Sequence, residues 1–363
     1  DWSSDVCSSD LWESIIEALL MVIPITACGI ESTSNQTEAL QESQPATSRS
    51  DIVKNRGKLI CGVEGGIPGF SYLDQDGNYS GIDVDICKAV AAALFNDPNA
   101  VEYRNLDSTE RFTALNGGEV DMLSRNTTWT ISRDTTVGLE FAPTTFYDGQ
   151  GMMVRADSGV TSLEDLRNKS ICVEAGTTTE LNLTDNLRQR NVKAETLTFQ
   201  QADPAYAAYA EGRCDGMTSD KSQLLSRRST LPSPDDHVIL EVTMSKEPLG
   251  PVTKNNDSAW FDVVKWVTYA LIEAEELGIT QANVDGLKQN SDDPTIRRFL
   301  GVDGDLGEGL GLSNDFAYRV IKNVGNYGEV YNRNLGEKSQ FKLPRGMNDL
   351  WRNGGLLYSP PFR

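Results

Sequence analysis

Residues 118–133 read Gly-Glu-Val-Asp-Met-Leu-Ser-Arg-Asn-Thr-Thr-Trp-Thr-Ile-Ser-Arg, which joins a short apolar run to a polar loop. Residues 120–123 predict a strand, and most of the side chains after it carry hydroxyl or amide groups. A helix is predicted just upstream, because Asp107 and Glu110 are spaced like a capping box. This order belongs to a β-α-β alternation, which predicts a mainly parallel sheet flanked by helices.

The alternation extends in both directions from that stretch. Upstream, a strand at 58–63 ends in a turn rich in Gly and Pro, and apolar residues then recur at helical spacing from Val84 to Leu94. Downstream, strands are predicted at 151–155 and 194–199, with a helix that begins after Gly176. We therefore predict an α/β fold in which the second half of the chain repeats the plan of the first.

A short internal repeat supports this two-part plan. Gly118-Glu-Val-Asp121 and Gly212-Arg-Cys-Asp215 each follow a predicted helix and lead into a short strand. A polar residue lies five positions after each aspartate, namely Asn126 and Asp220. Two similar lobes that present strand ends to a shared cleft would explain the repeat. Chance similarity of a common turn is the alternative, because the match is short.

The composition argues against several classes of function. The chain has 363 residues, and 33 basic against 53 acidic side chains give a net charge of −20, which disfavours nucleic-acid binding. Its single histidine, His237, follows a run rich in Pro and Asp, so we expect a solvated loop residue. Without a second histidine, neither a catalytic zinc site nor Ser/His/Asp hydrolysis is expected, and we predict no metal and no cofactor.

The N-terminal region is set apart from the rest. Residues 1–27 contain an acidic, Ser-rich start that we do not expect to be native, followed by an apolar segment too short for an ordinary membrane span. That segment ends in Ile25-Thr-Ala-Cys28, which resembles a lipobox and predicts lipidation of Cys28. The alternative is a truncated ordinary signal peptide with an incidental cysteine. Residues 28–50 are polar and aperiodic, which predicts a flexible tether.

Export makes the later cysteines candidates for disulfides. Cys61, Cys87, Cys172 and Cys214 allow three pairings, and the sequence alone does not choose between them. If the chain has two lobes, the pairs Cys61–Cys87 and Cys172–Cys214 keep each bridge inside one lobe. Free buried thiols are the alternative.

Two polar motifs have the chemistry to hold an α-amino acid. Arg133 could bind a carboxylate, since its planar guanidinium matches the two oxygens, although a surface arginine is the alternative. Gly176-Thr-Thr-Thr-Glu180 lies where a strand meets a helix, and its free N–H groups favour an anion. A plain helix cap is the alternative for this second motif.

Several stretches together resemble the amino-acid-binding proteins of ABC transporters, which have the type 2 periplasmic binding fold, and especially the general L-amino-acid branch. The resemblance runs from about Lys58 to the C-terminus. It rests on Gly65-Gly-Ile-Pro-Gly-Phe-Ser, Gly81-Ile-Asp-Val-Asp-Ile-Cys-Lys-Ala-Val, Ser124-Arg-Asn-Thr-Thr-Trp-Thr, Cys172-Val-Glu-Ala-Gly-Thr-Thr-Thr-Glu-Leu-Asn-Leu and Gly212-Arg-Cys-Asp. It implies two Rossmann-like lobes, joined by a two-strand hinge, that bind a free L-amino acid without turnover.

The resemblance also assigns the groups that hold the α-carbon substituents. Arg133 corresponds to the arginine that binds the α-carboxylate, and Thr178 with Thr177 to donors from the second lobe. Asp220 corresponds to the acidic partner of the α-ammonium.

Other positions in the first lobe complete the implied site. Asn126 and Thr128 lie where the family's loop donates or accepts hydrogen bonds. Related binders place an aromatic ring over the ligand, and Phe70 is the candidate here. Ile67 lies nearer that position, and Trp129 is a second possibility.

The implied mechanism is closure of the two lobes around the ligand, followed by docking on ABC permease subunits at the membrane. We expect lobe one at 51–146 plus 250–363, lobe two at 147–249, and crossing strands near 146–153 and 242–252. The protein would work as a monomer in the periplasm or at the outer face of the cytoplasmic membrane. The side-chain preference of the site stays open.

Two other functions remain as alternatives. One is an enzyme on the same fold, such as a periplasmic dehydratase of the cyclohexadienyl type, with Glu64 or Glu174 as the acid. The other is the sensor module of a receptor, which the absence of later membrane-spanning or signalling segments in the sequence disfavours.

Overall fold

The computed structural model describes residues 48–363 of the chain. The predicted leader, the lipobox cysteine Cys28 and the tether as far as residue 47 lie outside these residues. A helix begins at Arg49, and the Ser48 hydroxyl caps it by accepting a hydrogen bond from the Ser50 N–H.

Helices form where apolar positions recur at helical spacing, and in about half of them a polar side chain caps the first turn. They are α1 (Arg49–Arg56), α2 (Ile82–Phe95), α3 (Arg111–Gly117), α4 (Ile131–Thr135), α5 (Thr178–Gln189), α6 (Ala202–Ala210), α7 (Lys221–Arg228), α8 (Ser258–Glu276), α9 (Val284–Asn290), α10 (Pro294–Phe299), α11 (Phe316–Val324) and α12 (Tyr327–Asn334). Within residues 48–363, no helix combines the length and the hydropathy that crossing a bilayer requires.

The strands are mostly short apolar runs bounded by turn residues. They are β1 (Leu59–Val63), β2 (Gly66–Ile67), β3 (Ser71–Leu73), β4 (Tyr79–Ser80), β5 (Val101–Asn105), β6 (Met122–Leu123), β7 (Leu139–Phe141), β8 (Phe146–Asp148), β9 (Gln150–Arg155), β10 (Ser170–Glu174), β11 (Glu195–Phe199), β12 (Gly216–Asp220), β13 (His237–Ile239), β14 (Glu247–Leu249) and β15 (Val252–Lys254).

Two five-stranded sheets have the same plan. The first has the order β5-β1-β6-β15-β7, and the second has the order β11-β10-β12-β9-β13. In each sheet the first three strands of this order run parallel to one another. The fourth strand, β15 or β9, pairs antiparallel with both of its neighbours. We call the parts built on these sheets lobe one and lobe two. The predicted α/β fold class is confirmed.

The internal repeat has a structural counterpart in two aspartates. The Asp121 carboxylate accepts the Ile60 N–H at 2.7 Å, and the Asp215 carboxylate accepts the Ser170 N–H at 2.8 Å. The N–H of each aspartate donates back to the same partner residue. Each aspartate therefore fixes the start of the second strand in its sheet, which places β6 and β12 equivalently in the two lobes.

The chain crosses between the lobes through a separate pair of strands. β8 and β14 pair antiparallel, with Leu249 opposite Phe146 and Glu247 opposite Asp148. Two short crossing strands give a hinge that can bend while each sheet keeps its own hydrogen bonds.

Both lobes have their own apolar core and their own disulfide. In lobe one, α2, α8, α11 and α12 bury a large cluster that includes Trp260, and Cys61–Cys87 joins β1 to α2. In lobe two, apolar clusters cover the sheet, and Cys172–Cys214 joins β10 to the turn before β12. The structure thus contains the two bridges of the within-lobe pairing.

The histidine prediction is wrong. His237 is buried and begins β13, where it pairs with Arg155 of β9. Its Nδ1 lies 2.9 Å from the Tyr209 hydroxyl. The Pro- and Asp-rich run before it is indeed a turn, but antiparallel pairing with β9 carries the histidine itself into the lobe.

The last seventy or so residues reinforce lobe one and the hinge. The side chain of Asn348 accepts the Tyr147 N–H at 2.6 Å and donates to the Tyr147 carbonyl at 3.1 Å. Tyr327 donates its buried hydroxyl to the carbonyl of Thr145, just before β8. The C-terminal region is therefore attached to one of the two crossing segments.

The placement of the disulfides leads to a first prediction. Replacing Cys172 and Cys214 together by alanine should lower the free energy of unfolding by about 3–4 kcal/mol, because the bridge closes a loop of 42 residues. Ligand affinity should change by less than about twofold, since the bridge does not cross the cleft. Denaturant unfolding and calorimetric titration of the same variant measure the two effects. A large loss of affinity with unchanged stability would contradict the prediction.

Candidate functional site

A polar cavity lies between the two lobes. It contains about 380 Å³ of space free of protein atoms, part of which is open to solvent. Both lobes contribute to its walls, which consist of Ile67, Ser108, Arg111, Arg125, Asn126, Thr128, Arg133, Glu174, Thr177, Thr178, Thr179, Ser219, Asp220 and Gln223. Ile67 is the single large apolar side chain among these fourteen, so the cavity suits a charged or strongly polar ligand.

Arg133 is held in this cavity by the start of α4. The Thr130 hydroxyl caps that helix by accepting the Arg133 N–H at 3.3 Å. The guanidinium donates from Nη1 to the Thr128 carbonyl at 2.8 Å and lies 5.2 Å from the Phe112 ring centre. Burial lowers the pKa of Arg133 to about 10, which still leaves the side chain charged at neutral pH. The alternative of a surface arginine is therefore wrong.

Two further buried arginines, which the sequence did not single out, share the cavity with Arg133. Arg111 begins α3, and Nη2 donates to the Gly176 carbonyl of lobe two at 3.5 Å. Arg125 donates from both terminal nitrogens to the Ser108 hydroxyl at 3.4 Å. The Nε atoms of Arg111 and Arg125 have no hydrogen-bond partner among residues 48–363.

The three arginines also lack anionic partners at close range. Among the described residues, no carboxylate oxygen lies within 4.0 Å of a guanidinium nitrogen of Arg111, Arg125 or Arg133. Burial, together with the charges of the other two arginines, lowers the pKa of Arg111 well below its usual value. Buried cations without a counterion are costly, so the arrangement favours an anionic ligand.

Asp220 faces the arginines from lobe two. It is the last residue of β12, it is buried, and it lines the cavity. Burial and then the carboxylates of Asp148 and Glu247 raise its pKa well above the usual value, although Arg133 and Arg111 oppose the shift. Burial also raises the pKa of Asp148, to about 6. A cationic ligand group beside Asp220 would relieve this concentration of negative charge.

The hydroxyl groups of three threonines at the cavity already donate hydrogen bonds to other groups of the protein. Thr128 and Thr178 both donate to Oε2 of Glu247, at 2.6 and 2.8 Å. Thr177 caps α5 by accepting the Glu180 N–H, and it donates to the Glu174 carbonyl at 2.7 Å. In this structure the groups of α5 left to donate to an anion are therefore the backbone N–H groups of its first turn.

Asn126 has the clearest sign of an incomplete hydrogen-bond set. Its backbone is left-handed, with φ at 44°, and its N–H donates to Asp83 at 3.2 Å. Its side-chain oxygen and nitrogen are both buried at the cavity without a partner among the described residues. The predicted polar loop thus points an unsatisfied amide at the place where a ligand would lie.

The two aromatic candidates lie elsewhere. Phe70 is fully buried in the core of lobe one, edge-on to Phe146 at 5.1 Å, and it does not line the cavity. Trp129 is 47% exposed and stacks on Phe141 at 6.0 Å. Ile67 lines the cavity instead. The Phe70 ring instead packs inward against Phe146 of the hinge strand β8, a residue far away in the sequence.

The lobes also contact each other away from the cavity. Arg227 of α7 lies 3.4 Å from the carboxylate of Glu64, and the Ser226 hydroxyl donates to the Pro68 carbonyl at 2.5 Å. Glu64 and Pro68 belong to lobe one, whereas α7 belongs to lobe two. The structure is therefore the closed arrangement of the lobes.

Comparison with known proteins agrees with this architecture. The family model "Bacterial extracellular solute-binding proteins, family 3" matches residues 59–289. The general L-amino acid-binding periplasmic protein AapJ of Rhizobium johnstonii is 53% identical over 320 residues, which cover 88% of this chain and 93% of the relative. The glutamate/glutamine/aspartate/asparagine-binding protein BztA of Rhodobacter capsulatus is 48% identical over 90% of this chain and 96% of the relative.

Solved structures lead to the same group. An ABC transporter periplasmic binding protein from Brucella ovis, with glutathione bound, has a TM-score of 0.85 and 49% identity, over 88% of this chain and all of the other. The cysteine-binding protein of Campylobacter jejuni has a TM-score of 0.57 and 26% identity, over 69% of this chain and 98% of the other. These similarities support a binding function over the enzyme alternative. The chain belongs to the bacterial extracellular solute-binding proteins of family 3.

Proposed function

We propose that this protein captures free L-amino acids outside the cytoplasm and delivers them to the membrane subunits of an ABC permease. The observation that carries the proposal is the cavity between the lobes, in which buried arginines with no carboxylate at ion-pair distance among the described residues share the walls with the buried carboxylate of Asp220. A zwitterion supplies one anion and one cation at a fixed short distance. It can therefore neutralise both sides of this cavity at once.

The α-carbon groups of the ligand are assigned by charge. Arg133 binds the α-carboxylate, with the N–H groups at the start of α5 as further donors, because both offer oriented positive charge to two oxygens. Asp220 accepts the α-ammonium. The unsatisfied amide of Asn126 completes its hydrogen bonds on the bound ligand. Phe70 has no contact with the ligand in this scheme, since it lies in the core.

The side chain of the ligand is proposed to be acidic or an amide in the preferred substrates. After the α-carboxylate has been assigned to Arg133, Arg111 and Arg125 remain at the cavity wall, and each has an Nε without a hydrogen-bond partner among the described residues. A second carboxylate or a carbonyl oxygen on the ligand would occupy the N–H groups that are left. The ligands in the name of the related BztA protein, glutamate, glutamine, aspartate and asparagine, have this chemistry.

Binding is proposed to close the lobes, and the closed form to dock on the permease. A ligand that touches Arg133 in lobe one and Asp220 in lobe two binds the closed state more tightly than the open state, because only the closed state offers both contacts at once. Binding therefore shifts the equilibrium toward closure. We further propose that the protein acts as a monomer and that Cys28, when present in the exported form, attaches it by lipidation to the outer face of the cytoplasmic membrane.

The first test removes the α-carboxylate partner. Arg133→Met keeps the apolar stem but removes the guanidinium, so the dissociation constant for every bound amino acid should rise by more than about 100-fold, as expected for the loss of two charge-assisted hydrogen bonds. Isothermal titration calorimetry measures the constant. Arg104→Met is the matched control, because the Arg104 side chain is 59% exposed. Near-native affinity of Arg133→Met would overturn the assignment.

A second test separates side-chain recognition from backbone recognition. Arg125→Met should weaken glutamate binding at least about tenfold more than alanine binding, since only glutamate offers a second carboxylate. Parallel titrations with glutamate, glutamine and alanine measure the ratio. Equal losses for glutamate and alanine would assign Arg125 to the shared backbone groups and remove the basis for an acidic preference.

A third test uses the raised pKa of Asp220. In the ligand-free site the raised pKa favours the protonated carboxyl, whereas an ammonium beside it stabilises the carboxylate and lowers the pKa. At a pH below the ligand-free pKa, binding should therefore release a proton, and the affinity should fall as the pH is lowered further. Calorimetry in two buffers with different heats of ionisation counts the protons. Asp220→Asn should abolish the release, and an unchanged proton count in that variant would assign the proton to another group.

A further inference from the structure

Glu247 is a buried carboxylate in the hinge that is held by hydrogen bonds, while the charge of Arg133 acts on it from beyond ion-pair distance. It begins β14 and is 1% exposed, and no lysine or arginine nitrogen lies within 4.0 Å of it among the described residues. It does not line the cavity. Its oxygens accept from the side chains of Thr128 (2.6 Å), Thr178 (2.8 Å), Asn182 (3.0 Å) and Ser245. A buried carboxylate without an ion pair depends on such donors.

One set of these contacts attaches Glu247 to lobe one. Thr128 forms a β-bridge with Leu249 of the same hinge strand, and the Trp129 N–H donates to the Pro248 carbonyl at 2.9 Å. The loop that carries Thr128 is therefore attached to β14 by one isolated bridge and one further backbone hydrogen bond. The backbone of Thr128 and its hydroxyl are thus both attached to the hinge strand.

The other set of contacts comes from lobe two. Thr178 and Asn182 are four residues apart on α5, so they share one face of that helix. The Thr178 hydroxyl donates to Oε2 of Glu247, and the Asn182 side-chain amide donates to Oε1. The first turn of α5 is thus held against the hinge, and this same turn presents its N–H groups to the cavity.

We propose that Glu247 is a positioning residue that sets the closed state by docking the first turn of α5 onto the hinge. When the lobes separate, Thr178 and Asn182 move away and the carboxylate must find water in their place. Closing restores two charge-assisted hydrogen bonds across the lobes and brings the α5 N–H groups to the α-carboxylate of the ligand. Glu247 thereby acts on affinity through α5 and not through contact with the ligand. This proposal rests on the lobe closure described under the proposed function.

A contact that acts only through closure has a recognisable signature. It contributes the same factor to the affinity of every ligand, because all of them require the same closed state. A residue that touches the side chain of the ligand changes the ratios between ligands, as proposed for Arg125. The ratio of dissociation constants across ligands therefore distinguishes Glu247 from such residues, and the radius of gyration of the ligand-free protein distinguishes it from Arg133 and Asp220, which touch the α-carbon groups that all ligands share.

The test compares Glu247→Gln with Glu241→Gln, which makes the same chemical change at an exposed position of the same crossing segment. Glu247→Gln should weaken the binding of glutamate, glutamine and alanine by the same factor, at least about tenfold. The reason is that the substitution removes the negative charge of residue 247 and replaces one acceptor oxygen by an NH2 group. Small-angle scattering of the ligand-free variant should show a larger radius of gyration than the parent protein. Glu241→Gln should match the parent in both measurements.

A second variant keeps the test decisive if Glu247→Gln folds poorly. Asn182→Ala removes one lobe-two donor without touching the cavity wall, and should also weaken all three ligands by one common factor. If both single variants fold, their combination should cost less than the sum of the two separate effects, because they remove the same contact.

Three results would overturn the proposal. They are an unchanged affinity in Glu247→Gln, a loss that differs between glutamate and alanine, or additive effects of the Glu247 and Asn182 substitutions. If Arg133→Met binds normally while Glu247→Gln behaves as expected, the ligand assignment fails and the closure role of Glu247 stands.

Discussion

The burial of three arginine side chains in one cavity, without a carboxylate at ion-pair distance among the described residues, is the constraint on which the rest of the structure depends. A guanidinium taken out of water loses hydration that only an anion and hydrogen-bond acceptors can replace. Arg125 and Arg111 obtain only weak contacts from Ser108 and Gly176, and Arg133 obtains one good contact from the Thr128 carbonyl. The closed lobes therefore leave part of the hydrogen bonding of these groups to the ligand.

The repeated lobe explains how opposite charges come to face each other. Asp121 and Asp215 fix equivalent strands in the two sheets, and the chain beyond those strands reaches the cavity from opposite sides. From β6 it continues into the loop of Asn126, and β12 ends on Asp220. Because the carboxyl ends of parallel strands meet at one edge of a sheet, two sheets facing each other enclose a site with one polar loop from each.

The sequence predicted those features that local patterns encode. The order of strands and helices and the polar stretch that ends in Arg133 follow from spacing and residue type. The helix cap that we gave as the alternative for the Gly176–Glu180 motif is present at Thr177. Arg111 and Arg125 were not recognised because both lie in polar stretches and contact residues that are distant in the sequence, Gly176 for Arg111 and Ser108 for Arg125. His237 was misassigned since pairing with a distant strand, β9, decided its burial. The inward direction of the Phe70 ring likewise depends on Phe146, which is far away in the sequence.

The acidic surface and the basic cavity act over different distances. The net charge of −20 disfavours the approach of anions in general, but at physiological ionic strength the field of exposed charges is screened beyond about 8 Å. Inside the cavity the arginines lie behind low-dielectric walls, where screening is weaker. Selection for an anionic group on a zwitterion can therefore coexist with a strongly acidic exterior. It follows that salt should affect the rate of ligand encounter more than the strength of the contacts made after closure, since only the exterior charges are exposed to mobile ions.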